Sequence, residues 1–166
     1  MQYTLRTWQT DDIPSLAENA NNINIWNNLR DYFPYPYTQK DAEEFITSVS
    51  QKSRTQDFAI EINNKTVGGI GFVPQRDVER LSAEIGYWLS EKHWHKGIMH
   101  NAVKDAVEYI FANTEIIRLF AAVFDFNKAS MRVLEKVGFQ KLTILSKAAI
   151  KNGRLIDMHY YELLAH

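Results

Sequence analysis

The chain has 166 residues, 45% of them hydrophobic and 23% charged, and a formal net charge of -1. That length suits one compact domain, able to bury about two-thirds of its unfolded surface in a core and leave one cleft. The near-zero charge offers no field for nucleic acid or an anionic membrane surface, no apolar run reaches the ~18 residues of a spanning helix, and there is no cysteine for a disulfide, a thiolate metal site or a thiol nucleophile. Met1 to Asp11 lacks the apolar run of a signal peptide, so cytoplasmic residence is the expectation.

Tyr3 to Trp8 alternates apolar and polar residues and predicts a strand. Asp11 to about Ile25 predicts a helix, with Pro14 tolerated in its first turn. Asn27 to Tyr37 holds Pro34 and Pro36, which exclude regular helix. Thr38 then caps a helix, with Asp41 in capping-box position and Ala42, Phe45, Ile46 and Val49 as its apolar stripe. Phe58 to Ile62 and Thr66 to Val73 read as strands around a turn at Asn63-Asn64. Leu81 to Leu89 is the clearest strand: Leu81, Ala83, Ile85, Tyr87 and Leu89 face one way, and Ser82, Glu84, Gly86 and Trp88 the other. Ile98 to Phe111 predicts a helix buried along Met99, Ala102, Val103, Ala106, Val107 and Ile110. Arg118 to Phe124 is a further strand. Asn127 caps a short helix that ends at Gly138, and Gln140 to Ile150 pairs with Arg154 to Leu164 around Asn152-Gly153. No repeat or linker interrupts this order, so residues 1–166 are expected to form a single α/β (α+β) domain on one mixed sheet.

Chemistry concentrates between the Leu81–Leu89 strand and the helix at Ile98, in Trp94-His95-Lys96-Gly97-Ile98-Met99. A strand, a short loop with glycine and a helix N-terminus make an anion site: first-turn N–H groups lack intrahelical partners and the macrodipole adds partial positive charge. Lys96 adds a full charge, and Gly97 lets backbone approach a ligand. A plain strand-to-helix turn is the alternative. Neither a G-x-G-x-x-G nor a Walker pattern is present, which argues against dinucleotides and nucleoside triphosphates.

Three pieces in order, Ala83-Glu84-Ile85-Gly86-Tyr87-Trp88-Leu89, then Trp94-His95-Lys96-Gly97, then Asn127-Lys128-Ala129-Ser130 running into Val133-Leu134-Glu135-Lys136-Val137-Gly138-Phe139, resemble the GNAT superfamily. The subgroup resembled is the RimJ/RimL-like ribosomal-protein N-acetyltransferases. The resemblance implies a mostly antiparallel central sheet flanked by helices, with two central parallel strands that splay to admit CoA. It implies acetyl-CoA as cosubstrate, with no metal. The pyrophosphate would lie on the backbone of His95, Lys96, Gly97, Ile98 and Met99, with His100 nearby. The pantetheine arm would run along Tyr87, Trp88 and Leu89 and meet Asn127. Two departures stand out. The family usually has a small residue where Met99 stands and often glycine where His95 stands. Many members also have a tyrosine general acid at the position of Leu134, and leucine cannot donate a proton.

Related enzymes often place a glutamate near the amine at the position of Glu84, and a protonated amine cannot attack a thioester, so the resemblance implies that Glu84 accepts the proton, directly or through water; the alternative is a solvated strand carboxylate. Ser130 is the candidate for protonating or orienting the departing thiolate, against ordinary first-turn hydroxyl bonding. His93 and His95 have no further ligands for a metal. In the resembled family the region of Arg30, Asp31, Phe33 and Tyr35 borders the acceptor pocket. Aromatic faces attract cations, or the rings simply fill a gap over the sheet. The expected activity is acetyl transfer from acetyl-CoA to a primary amine, on a protein N-terminus or a small molecule, by direct attack. A non-catalytic acyl-CoA-binding module is the rival, for which Leu134 is the main argument. A homo-oligomer is compatible with the sequence.

Overall fold

The structure is a computed structural model that describes residues 2–166. The strands are β1 (Thr4–Thr7), β2 (Asp57–Ile62), β3 (Lys65–Pro74), β4 (Ser82–Leu89), β5 (Arg118–Phe124), β6 (Gln140–Lys151) and β7 (Arg154–Leu164). The helices are α1 (Ile13–Ala20), α2 (Ile23–Trp26), α3 (Gln39–Ser50), α4 (Ile98–Asn113) and α5 (Lys128–Val137). The seven strands form one mixed sheet in the order β1-β2-β3-β4-β5-β7-β6. β1–β2, β2–β3, β5–β7 and β6–β7 pair antiparallel, and β4–β5 pair parallel. The chain forms two compact units, Met1–Gly71 with Tyr87–Ala102, and Phe72–Gly86 with Val103–His166.

In the first unit, Trp8, Leu16, Ala17, Ala20, Ala42 and Ile46 pack into one apolar cluster, edged by Phe33, Phe45 and Trp88. The single helix expected to run from Asp11 to Ile25 is two helices. Asn22 is extended (φ −146°, ψ 124°), and its side chain caps α2 by accepting from the Asn24 and Ile25 N–H groups. An asparagine that can bond its own backbone competes with helix continuation, and here it ends α1 and starts α2. The Thr38 capping box forms as its spacing predicts. Asn63 and Asn64 both take positive φ, 51° and 60°, as a two-residue hairpin turn requires. β3 lies so close to β4 that a β-carbon on Gly68 would stand 2.5 Å from the Trp88 carbonyl oxygen, so only glycine fits there.

An ion-pair network fixes how this unit starts. The Arg6 guanidinium donates to both carboxylate oxygens of Asp12 (2.8 and 2.7 Å) and to Glu61 (2.6 Å). Asp12 is 5% exposed and also accepts from the Thr66 hydroxyl (2.6 Å) and the Gln9 N–H (2.8 Å). Burial pushes the Asp12 carboxyl up, but the hydrogen bonds from Arg6, Thr66 and Gln9 outweigh it and hold the group below the usual carboxylate value.

α4 buries Ala102 in the first unit and Val103, Ala106, Val107 and Ile110 in the second, as its periodicity predicts, while Met99 is only half-buried and Ile98 is buried. Gly138 ends α5 in the left-handed region (φ 110°), and Asn152 and Gly153 turn β6 into β7 with φ of 51° and 72°. β7 lies between β5 and β6, so chain order and spatial order part company there.

Because the Asp12 pKa is depressed in the folded state, its contribution is present above the ordinary carboxylate value and is lost as pH falls through the lowered one. Asp12→Ala should cost about 1–3 kcal/mol by removing the buried acceptor shared by Arg6, Thr66 and Gln9, while Arg6 keeps Glu61. In Asp12→Asn, the fall of Tm below roughly pH 4 should be shallower than in the wild type, read by thermal denaturation across pH.

Candidate active site

In the first unit, β4 ends where the Ser90 N–H donates to the Val67 carbonyl (2.7 Å). Glu91–His93 make one 3₁₀ turn, closed by the Trp94 N–H on the Glu91 carbonyl (3.1 Å). The Trp94 indole N–H donates back to the Leu89 carbonyl (2.7 Å), which fixes the ring under the loop. His95 and Gly97 then both adopt left-handed backbone, φ 60° and 74°, and curl the chain into the start of α4. A β-carbon added at Gly97 would meet nothing within 4 Å, so the space beside it is open. Ile98 is buried and anchors the helix, while His95, Lys96 and Gly97 are exposed. The Asn101 N–H donates to the Gly97 carbonyl (3.3 Å), so the N–H groups of Ile98, Met99 and His100 precede the helix's own ladder. An open glycine before sixteen residues of helix fits a phosphate group.

Some side chains expected at this loop are engaged elsewhere. The Lys96 ammonium folds back onto the Lys92 carbonyl (2.7 Å). Burial pushes the His93 imidazole below its ordinary value, and nearby Lys96 and Lys92 push it further. The Trp88 ring centroid lies 6.1 Å from that of Phe33, at the edge of the apolar cluster. Phe33 also packs on Tyr37 (5.0 Å), and Tyr35 stacks on Trp26 (5.9 Å). Phe33 is thus largely a gap-filling ring, whereas Tyr35, Arg30 and Asp31 are exposed.

In the second unit, β4 pairs with β5 only over Ser82–Glu84, opposite Arg118–Phe120. Glu84 is therefore the last residue of β4 in the parallel ladder, half-buried, and Ile85 and Gly86 continue without a β5 partner. The β5–α5 turn carries the other two candidates. Asn127 caps α5 by accepting from the Ser130 N–H (3.1 Å), which sets the Ser130 backbone at the helix start. The turn is pinned to β7: the Asp157 N–H donates to the Asp125 carboxylate (3.2 Å) and the Asp125 N–H to the Asp157 carbonyl (3.1 Å). Leu134 is 0% exposed, inside the core. Fully buried Tyr161, which sequence patterning did not single out, donates its hydroxyl to Glu135 (3.0 Å). Burial and that bond push its pKa up to about 12. Among the described residues, no group of three or more His, Asp or Glu side chains could hold a metal ion.

A family model described as an acetyltransferase (GNAT) domain matches residues 2–140. The chain belongs to the GNAT acetyltransferases. An uncharacterised N-acetyltransferase, p20, from Bacillus licheniformis is 32% identical over 127 residues, spanning 75% of this chain and 71% of that protein. The fold is shared with RimL, the ribosomal L7/L12 alpha-N-protein acetyltransferase, solved in complex with coenzyme A (TM-score 0.87, 21% identity, 99% and 94% of the two chains). It is shared as well with spermidine N-acetyltransferase from Vibrio cholerae, solved with CoA and spermine (TM-score 0.82, 24% identity, 98% and 95%). The chain is an acetyl-CoA-dependent N-acetyltransferase.

His95, a residue with a β-carbon, holds a backbone φ of 60°. Left-handed backbone costs a residue with a β-carbon about 1–2 kcal/mol, while glycine loses about 0.5–1 kcal/mol of chain entropy on folding. His95→Gly should therefore raise stability by roughly 0.5–1 kcal/mol, read as a higher denaturation midpoint with coenzyme A binding retained.

Proposed function

We propose that the chain, working as one transferase domain, acetylates a primary amine by direct attack on acetyl-CoA, with Glu84 and Ser130 as its catalytic residues. The observation that carries the reading is the pair of left-handed residues, His95 and Gly97, that opens the start of α4 in a chain of this family. The Ile98, Met99 and His100 N–H groups would hold the pyrophosphate, with His95, Lys96 and Gly97 forming the turn beside it. The Tyr87–Leu89 backbone would guide the pantetheine arm, which supplies the activated acetyl group as a thioester. Glu84 would take the amine's proton, directly or through water. Ser130, at the first turn of α5, would orient the departing sulfur, with Asn127 fixing that turn. Arg30, Asp31 and Tyr35, all exposed, would meet the acceptor, and Phe33 would shape the wall behind them.

For the acceptor, relatives act on a ribosomal protein N-terminus and on spermidine, as their names state. Both are primary amines, and that shared chemistry is what we assign. The direct test is release of free CoA thiol with a panel of N-terminal peptides, polyamines and amine-bearing small molecules. Turnover above the no-amine rate is expected for at least one class, and none for the whole panel would sink the reading.

Gly97→Glu should abolish coenzyme A binding by placing bulk and negative charge beside the pyrophosphate. Gly97→Ala should keep part of it, since its methyl group meets open space and only the φ of 74° opposes it. Calorimetry on both folded variants separates charge from strain; unchanged affinity in Gly97→Glu would move the cofactor site elsewhere.

Glu84→Gln should lower kcat most at pH values below the amine's pKa, with acetyl-CoA affinity retained. Ser130→Ala should lose roughly 2- to 13-fold in turnover, the worth of one neutral hydrogen bond. A loss of about 10²–10⁴-fold would instead make Ser130 the proton donor.

A further inference from the structure

Within the first unit, one carboxylate links the loop ahead of α4 to the helix ahead of the aromatic segment. Glu91 stands in the 3₁₀ turn between β4 and α4, and its backbone carbonyl accepts the Trp94 N–H (3.1 Å). Its carboxylate accepts from the Asn22 side-chain amide (2.7 Å) and from the Asn24 amide on both oxygens (3.1 Å each). Asn22 is the residue that breaks α1 from α2, and Asn24 lies in α2. Next along the chain, the Lys92 ammonium pairs with Glu18 of α1 (3.6 Å). From α2 the chain runs into residues 27–37. That segment is tied back by Trp26 stacking on Tyr35 and by the Tyr37 N–H on the Asn21 side chain (3.0 Å). A carboxylate that accepts three amide bonds has little freedom to move without its donors, so a shift of the 3₁₀ turn is transmitted to α2.

We infer that Glu91 is a positioning residue that couples the cofactor loop to the acceptor-side segment, so that binding of the CoA moiety at His95–His100 orders residues 22–37 for the amine. The inference rests on the reading of the loop as the CoA site. It also gives a purpose to the α1–α2 break: an unbroken helix would leave Asn22 and Asn24 bonded to helix backbone or solvent and the carboxylate without its amide donors. Glu91 touches neither the amine nor the thioester in this account. Its effect on turnover passes entirely through the placement of α2 and the segment after it.

Hydrogen exchange followed by mass spectrometry, with and without saturating coenzyme A, tests this on the full chain. In the wild type, coenzyme A should slow exchange at 90–100 and also at 22–37. In Glu91→Ala, and in Asn24→Ala with the Asn22 cap intact, slowing should persist at 90–100 and be lost at 22–37. A purely structural role would raise exchange at 22–37 in both states without removing the response to coenzyme A. If the variants respond at 22–37 as the wild type does, or the wild type shows no response there, the coupling is wrong. If 90–100 itself fails to respond in the wild type, the loop is not the CoA site and both readings fall together. Should circular dichroism show Glu91→Ala to be unfolded, Asn24→Ala decides alone.

Discussion

The pairing of β4 is the constraint on which the proposed site depends. Its parallel pairing with β5 ends at Glu84, yet the chain stays bonded to β3 as far as Ser90, whose N–H reaches Val67. Gly68 keeps β3 and β4 close at this point, because any side chain there would strike the Trp88 carbonyl.

The loop beyond β4 is built to be firm where the strand is open. Trp94 ties back to Leu89, Lys96 ties back to Lys92, and Ile98 is buried at the helix start. With both flanks held, the left-handed residues at 95 and 97 present backbone N–H groups in a fixed direction. The anion binding proposed there would need no reordering of the loop, which is the sense in which electrostatic stabilisation works best. The histidine at position 95 shows that this chain accepts some backbone strain to keep the turn.

The second unit solves a different problem, that of holding a short helix still. α5 has ten residues, too few for helical stability on its own. Asn127 caps it, Gly138 closes it, Met131 and Leu134 bury its apolar face, and Tyr161 reaches Glu135 from β7. The Asp125–Asp157 bonds fix the turn from which it starts. Leucine at 134 contributes to that core, so a proton donor at this position would need to displace packed side chains.

Sequence alone determined the local elements, because their signals are local. Alternation marked β4, a capping box marked α3, Asn-Gly marked the last hairpin, and Gly138 marked the end of α5, each within a few residues of chain. The family motifs likewise lie in short runs around Glu84, Gly97 and Asn127, and so could be read before any fold was known. What lay outside that reach was set by partners distant in sequence. The Asp12 carboxylate is a helix-start residue until Arg6 and Thr66 close on it. Trp88 and Phe33 could each have faced a ligand, and only packing shows that they face each other. The placement of β7 between β5 and β6, the end of parallel pairing at Glu84 and the grip of Asn22 and Asn24 on Glu91 have no one-dimensional signal. Periodicity tells which side of an element is buried, whereas the identity of what covers it is decided only when the chain closes on itself.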